Sequence, residues 1–98
     1  MTRVVIRLPA VLAEAAGLTG GQREVEVELA PGATVGQVLD AVADGRPRLA
    51  WRLRDETGTL RRYVNVFVGD DDVRSAGGLA TPVADGDVVT VLPSVAGG

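Results

Sequence analysis

A chain of 98 residues, 46% hydrophobic and 23% charged, holds enough apolar side chain for one modest core. It has no Cys, no His and no Lys, all 10 basic residues being Arg, which excludes disulfides, thiolate nucleophiles, imidazole bases and Schiff-base lysines and removes the commonest metal ligand. The net charge of −3 argues against general nucleic-acid binding, and no apolar run approaches the roughly 18 residues a membrane span needs. The stretch Met1 to Ile6 lacks the longer apolar region and the cleavage site of a signal peptide, so a cytoplasmic setting is expected.

The spacing predicts a first strand over residues 2–8, with Val4, Ile6 and Leu8 on one face and Arg3, Val5 and Arg7 on the other. Pro9 ends it. Ala10 to Gly17 is helix-prone but too short to stand alone, and reads as a turn of helix across a loop. Gly20-Gly21 marks a turn. Residues 23–29 alternate cleanly, Val25, Val27 and Leu29 inward and Glu24, Glu26 and Glu28 outward on a wet face. Like charges along an open strand lack the converging geometry of a metal site, so no metal is expected there.

Ala30 to Ala33 turns the chain. Thr34 followed by Gln37 has the spacing of a capping box, and Val35, Val38, Leu39 and Val42 form one apolar helical stripe. Asp44-Gly45 stops this helix, which should pack across the sheet. In residues 46–58, Leu49 and Leu53 are spaced for a short helix starting at Pro47, and Trp51 reads as partial core or cover. Asp55 to Gly58 is a surface turn. Residues 46–62 hold six arginines against Asp55 and Glu56, a local charge of +4. That is either a solvated surface or a docking patch for an acidic partner.

Residues 60–68 read as the central strand, with Val64, Val66 and Val68 toward the helix and Tyr63, Asn65 and Phe67 away from it. Outer-face aromatics mark a partner site unless a loop covers them. Gly69-Asp70 is a tight turn. Asp70 to Asp72 lacks the alternating spacing and distal Glu of a calcium loop. Val73-Arg74 is expected as a short edge strand. Gly77-Gly78 is loop, since no helix beginning Lys-Ser/Thr follows to make a phosphate cradle. Asp85-Gly86 turns the chain into a last strand, Val88 to Leu92, with Val89 and Val91 inward and Val88, Thr90 and Leu92 outward. Leu92 is expected to share an outer patch with Phe67.

Pro93 has no N–H and a fixed φ, so it is expected to end ladder pairing and launch the chain away from the sheet. The division expected is a domain over 1–93 and a flexible tail over 94–98. Five residues reach at most about 17 Å. The tip, Ala96-Gly97-Gly98, has almost no side chain and suits a narrow channel in another protein, with the α-carboxylate of Gly98 as the functional group. The element order implies an α+β domain, one main helix on a mixed sheet of about five strands. First and last strands as parallel central neighbours make it a β-grasp fold, as in ubiquitin.

With that order and the Gly97-Gly98 end, the chain resembles the ubiquitin-like sulfur carriers, the MoaD, ThiS and CysO group, most strongly the CysO branch. The resembling residues run from Tyr63-Val64-Asn65-Val66-Phe67-Val68 through Asp71-Asp72-Val73-Arg74, Gly77-Gly78-Leu79-Ala80-Thr81 and Val83-Ala84-Asp85-Gly86-Asp87. They finish at Val89-Thr90-Val91-Leu92-Pro93-Ser94-Val95-Ala96-Gly97-Gly98. The resemblance implies a protein cosubstrate rather than an enzyme, with no cofactor of its own. An E1-like adenylyltransferase and sulfurtransferase uses Mg-ATP to activate Gly98, and sulfur then replaces AMP to leave a thiocarboxylate. Gly97 and Gly98 form the reacting end. Phe67 and Leu92 dock partners, and Pro93, Val95 and Ala96 accompany the arm into their active sites. The acceptor implied is a cysteine synthase-like enzyme or another synthase. Two alternatives stand beside this within the same resemblance: the small subunit of molybdopterin synthase, and a ubiquitin-like modifier joined to lysines of other proteins. A third reading is a plain interaction module with an inert tail.

Overall fold

A computed structural model describes residues 1–93 of the chain; the expectations for Ser94, Val95, Ala96, Gly97 and Gly98 lie outside the described residues. Strand β1 (Thr2–Arg7) buries Val4 and Ile6 completely, and Leu8 just beyond it. Pro9 then opens a six-residue helix α1 (Ala10–Ala15), longer than the single turn expected, because Leu12, Ala13 and Ala15 dock into the core. Tertiary burial stabilises a helix that propensity alone would leave unformed. Strand β2 (Glu24–Leu29) runs back antiparallel to β1.

Helix α2 (Val35–Ala43) starts where the capping-box spacing predicts. The Gln37 backbone N–H donates to Thr34 Oγ1 (3.4 Å) and the Thr34 backbone N–H donates to Gln37 Oε1 (2.9 Å). Two of the helix's free N-terminal donors are thereby met. Val35, Val38, Leu39 and Val42 are wholly buried. Gly36 lets the helix meet the loop before the last strand closely: a Cβ there would lie 3.2 Å from the Leu79 carbonyl oxygen. Gly45, at φ +71°, takes the left-handed conformation that ends the helix. Helix α3 (Pro47–Leu53) begins at Pro47 and buries Leu49 and Leu53.

Strand β3 (Val64–Val68) is followed by β4 (Asp71–Asp72), two 3₁₀ turns (Val73–Ser75 and Gly78–Ala80), and β5 (Val88–Pro93). Among the described residues the sheet order is β2-β1-β5-β3-β4, with β1 and β5 parallel and every other neighbouring pair antiparallel. The helices cover one face. This is the α+β, β-grasp architecture expected. No helix among the described residues is long and apolar enough to cross a membrane.

Four local expectations change. The central strand is β5, not residues 60–68, because β1 takes β5 as its parallel neighbour and β3 pairs on the far side. Strand β3 begins only at Val64, since Arg62 and Tyr63 form a turn and Leu60 bridges to Arg54. Val73-Arg74 is not a strand: Asp72 Oδ1 accepts the Arg74 backbone N–H and winds the segment into a 3₁₀ turn, placing Val73 in the core. Pro93 does not end the pairing, because it is still opposite Val64 in the β3–β5 ladder. Its missing N–H is tolerated at a strand's last position.

Candidate functional site

The sheet face turned away from the helices is divided by chemistry. On the β2–β1 side, the register sets Arg7 opposite Glu24 and Arg3 opposite Glu28. Arg7 Nε lies 2.6 Å from Glu24 Oε2, and Arg3 reaches Glu28 at 3.0 Å and Glu26 at 3.5 Å. The Glu28 hydrogen bond and the charges of Glu26 and Glu28 push the Arg3 guanidinium further up from its ordinary value. The glutamates of β2 are thus partnered as well as wet. Two alternating strands of opposite charge held the signal, but only the register shows which residues meet.

On the β5–β3 side the same face is apolar. Asn65 stands opposite Leu92, and Phe67 opposite Thr90, so Phe67 and Leu92 are diagonal neighbours on one face. Phe67 is half-buried and Leu92 is 44% exposed. With Gly69, Asp70 and Thr90 they line a shallow depression of about 310 Å³. The shared patch expected of Phe67 and Leu92 is therefore formed. Tyr63 is exposed in the turn leading into β3 rather than within the strand. Pro93 follows Leu92 at the end of the central strand, beside this patch.

Two features escaped the linear reading. Trp51, expected as partial core or cover, is 59% exposed, because Leu49 and Leu53 use up the inner face of α3. The Arg61 guanidinium lies over its ring, 4.7 Å from the centroid, and Arg61 Nε donates to the Trp51 carbonyl (2.6 Å). Arg74, assigned to an edge strand, instead donates from Nη1 to Asn65 Oδ1 (2.7 Å) and from Nη2 to the Arg61 carbonyl (2.9 Å). It therefore closes the end of the apolar patch. No sequence spacing links residues 51, 61 and 74; the turn at residues 55–58, closed by the Arg54–Leu60 bridge, returns Arg61 to Trp51, and the Arg74 bond to the Arg61 carbonyl adds the third.

In the turn beside α3, Asp55 Oδ1 accepts from the Thr57 hydroxyl (2.6 Å), the Thr57 backbone N–H (2.9 Å) and the Thr59 backbone N–H (3.1 Å). The Thr57 hydroxyl is the chief reason its carboxyl sits below the ordinary value; partial desolvation opposes this, and the backbone donors and Arg61 add to it.

A sequence model of the ThiS family matches residues 6–98. The chain is 44% identical over 97 residues to the sulfur carrier protein CysO of Mycobacterium tuberculosis, covering 97% of this chain and 98% of that protein. In three dimensions it is similar to small archaeal modifier protein 1 of Haloferax volcanii, with a TM-score of 0.82 and 32% identity, over 97% of this chain and 100% of that one. It is also similar to a chain in the Amycolatopsis orientalis BexX/CysO complex, with a TM-score of 0.79 and 41% identity, covering 97% of this chain and 99% of that one. Resting on this match and on the β-grasp sheet described above, the conclusion is that the chain belongs to the ThiS family of ubiquitin-like carriers and is a homologue of CysO.

Proposed function

We propose that this chain is a sulfur carrier whose reacting group is the α-carboxylate of Gly98. The observation that carries the reading is the family match running through residue 98; the Phe67–Leu92 patch beside Pro93 supports it. A carboxylate is a poor acyl donor. An E1-like enzyme binding Mg-ATP lets a Gly98 oxygen attack the α-phosphorus, pyrophosphate leaves, and an acyl-adenylate remains. A sulfide then attacks the carbonyl carbon, the C–S bond forms, and AMP departs; where the sulfur arrives as a persulfide, the acyl disulfide so formed is cleaved by a second thiol of the activating or sulfur-delivering enzyme, which leaves as the disulfide. The resulting thiocarboxylate, ionised and nucleophilic at neutral pH, delivers sulfur inside an acceptor enzyme in cysteine or related sulfur-metabolite biosynthesis.

In this reading the chain itself performs no catalysis. The fold holds the bulk, Phe67 and Leu92 dock the partners, and Pro93, Val95 and Ala96 carry the arm into their active sites. Gly97 and Gly98 let the partner's backbone approach closely. The absence of Cys, His and Lys is consistent with chemistry done by others. ATP belongs to the activating enzyme, in a cytoplasmic setting. Within the family, service as the small subunit of molybdopterin synthase is the alternative acceptor.

The likeness to an archaeal modifier supports a second reading, transfer of the activated Gly98 carbonyl to a lysine amine of another protein. Intact mass spectrometry after incubation with the E1-like enzyme, Mg-ATP and a sulfur source separates the two. A gain equal to sulfur replacing one oxygen, mapped to Gly98, is the carrier result. Lysine adducts in cell extract without that gain transfer the weight to the modifier.

A further inference from the structure

Among the described residues, the arginines divide into those with a carboxylate and those without. Arg3 and Arg7 pair with the β2 glutamates, and Arg54 pairs with Asp40. Arg23, Arg46, Arg48, Arg52, Arg61, Arg62 and Arg74 have no carboxylate in ion-pair range among the described residues; Arg46 donates to the Ala16 and Val42 carbonyls, and Arg61 Nη2 is buried without an acceptor. Five of these, Arg48, Arg52, Arg61, Arg62 and Arg74, are linked through α3, Trp51 and the chain around Arg61. Arg48, Trp51 and Arg52 share the outer face of α3 at helical spacing, opposite Leu49 and Leu53. Trp51 carries the Arg61 guanidinium on its ring. Arg62 follows in the chain, and Arg74 is bonded to the Arg61 carbonyl and to Asn65, the residue opposite Leu92.

We propose that this arginine row, with Trp51 at its centre, docks an acidic polypeptide segment of a partner protein. A carboxylate arriving here forms an ion pair without displacing one. Asp55 acts on Arg61 by its charge but is not in ion-pair contact with it, and its Oδ1 is engaged by Thr57 and Thr59. The charge pattern also orients the encounter. The chain is −3 overall while residues 46–62 sum to +4, so an acidic partner is repelled by most of the surface and attracted at this one. Trp51 supplies a rigid apolar plane, pre-stacked with Arg61, for an apolar residue beside the acids; Trp and Arg are the residue types that most often dominate interface energy. The row ends beside Leu92, so a segment bound on it lies next to the apolar patch.

Trp51 is the chain's one tryptophan, so its emission reports directly on this surface. The full chain is titrated with a peptide of repeated Glu-Glu-Leu, its Lys-Lys-Leu counterpart, and a single-stranded RNA of matched charge. The expected result is a saturable change in emission with the glutamate peptide alone, weakened roughly tenfold on raising salt from ~0.02 M to ~0.3 M. It is lost in Arg52→Glu/Arg62→Glu, a doubly exposed pair whose circular dichroism should match the parent. Gly98→Ala retains it, so failure of the thiocarboxylate reading leaves this result standing. No saturable change with the glutamate peptide overturns the proposal. So does an equal response to the lysine peptide or RNA, or full binding by a folded double variant.

Discussion

Asn65 and Leu92 are direct partners across the β3–β5 ladder, and Phe67 stands next along the same face, opposite Thr90. One short segment of sheet therefore presents a half-buried aromatic and an exposed leucine immediately before Pro93, the last residue of β5. Phe67→Ala with Leu92→Ala is expected to raise the KM of the chain in E1-like activation about tenfold, with kcat little changed, as loss of uniform binding requires. Steady-state pyrophosphate release measures both constants. Unchanged KM in a folded double variant would remove this patch from the docking surface.

Leu39 is wholly buried on the apolar stripe of α2. Leu39→Ala should cost about 2–5 kcal/mol, the range for a leucine cavity. Thr34→Ala, which removes one half of the capping box, should cost about 1 kcal/mol. Urea denaturation gives both. Equal losses would mean that the cap, rather than the stripe, governs this helix.

Arg46 is a structural arginine within the basic segment. Its Nε donates to the Ala16 carbonyl (3.1 Å) and its Nη1 to the Val42 carbonyl (2.9 Å), tying together the ends of α1 and α2. Arg46→Met keeps the aliphatic stem and leaves both carbonyls without this donor. A loss of about 1.5–3 kcal/mol is expected, typical of hydrogen bonds from a charged group. Arg62→Met, at an exposed position, should change stability by less than about 0.5 kcal/mol. Thermal unfolding of the two variants side by side tests the contrast.

Asp55 is held below its ordinary carboxyl value chiefly by the Thr57 hydroxyl. A group whose folded pKa is depressed contributes stability that is present above its unfolded value, about 3.9, and is lost as pH falls through the lower folded value. The turn at residues 55–58 should therefore loosen only on acidification below about pH 4. Thr57→Val should raise the Asp55 pKa toward the ordinary value, read by NMR titration of its carboxyl carbon. An unmoved titration would assign the shift to the backbone donors instead.

Much of this architecture is written in local pattern. Alternation over residues 2–8 and 23–29 places Val4, Ile6, Val25 and Val27 inward, because successive side chains of a strand point to opposite faces. The stripe from Val35 to Val42 and the Thr34–Gln37 spacing define α2, because both depend on contacts within four residues or one helix face. Pairings between distant residues are another matter. The parallel pairing of first and last strands was legible in the long connections between them, but that residues 64–68 stand outside this pair and that Pro93 stays paired with Val64 are long-range choices local spacing does not encode. Val73-Arg74 read as a strand because apolar-polar alternation says nothing of the Asp72 carboxylate that winds it into a turn.

The candidate site divides the same way. Phe67 and Leu92 were legible as outward positions on two strands, and antiparallel pairing made them neighbours. The lack of Cys, His and Lys excluded thiolate, imidazole and Schiff-base chemistry, and the Ala96-Gly97-Gly98 end with the resemblance it carries made Gly98 the reacting group to test. The row from Trp51 through Arg61 to Arg74 was legible only as charge. Its shape arises because α3 spends Leu49 and Leu53 on the core and turns Trp51 outward, and because the turn at residues 55–58, closed by the Arg54–Leu60 bridge, brings Arg61 onto that ring. Periodicity determined which faces are apolar; the long-range closure of the sheet decided which residues stand beside one another.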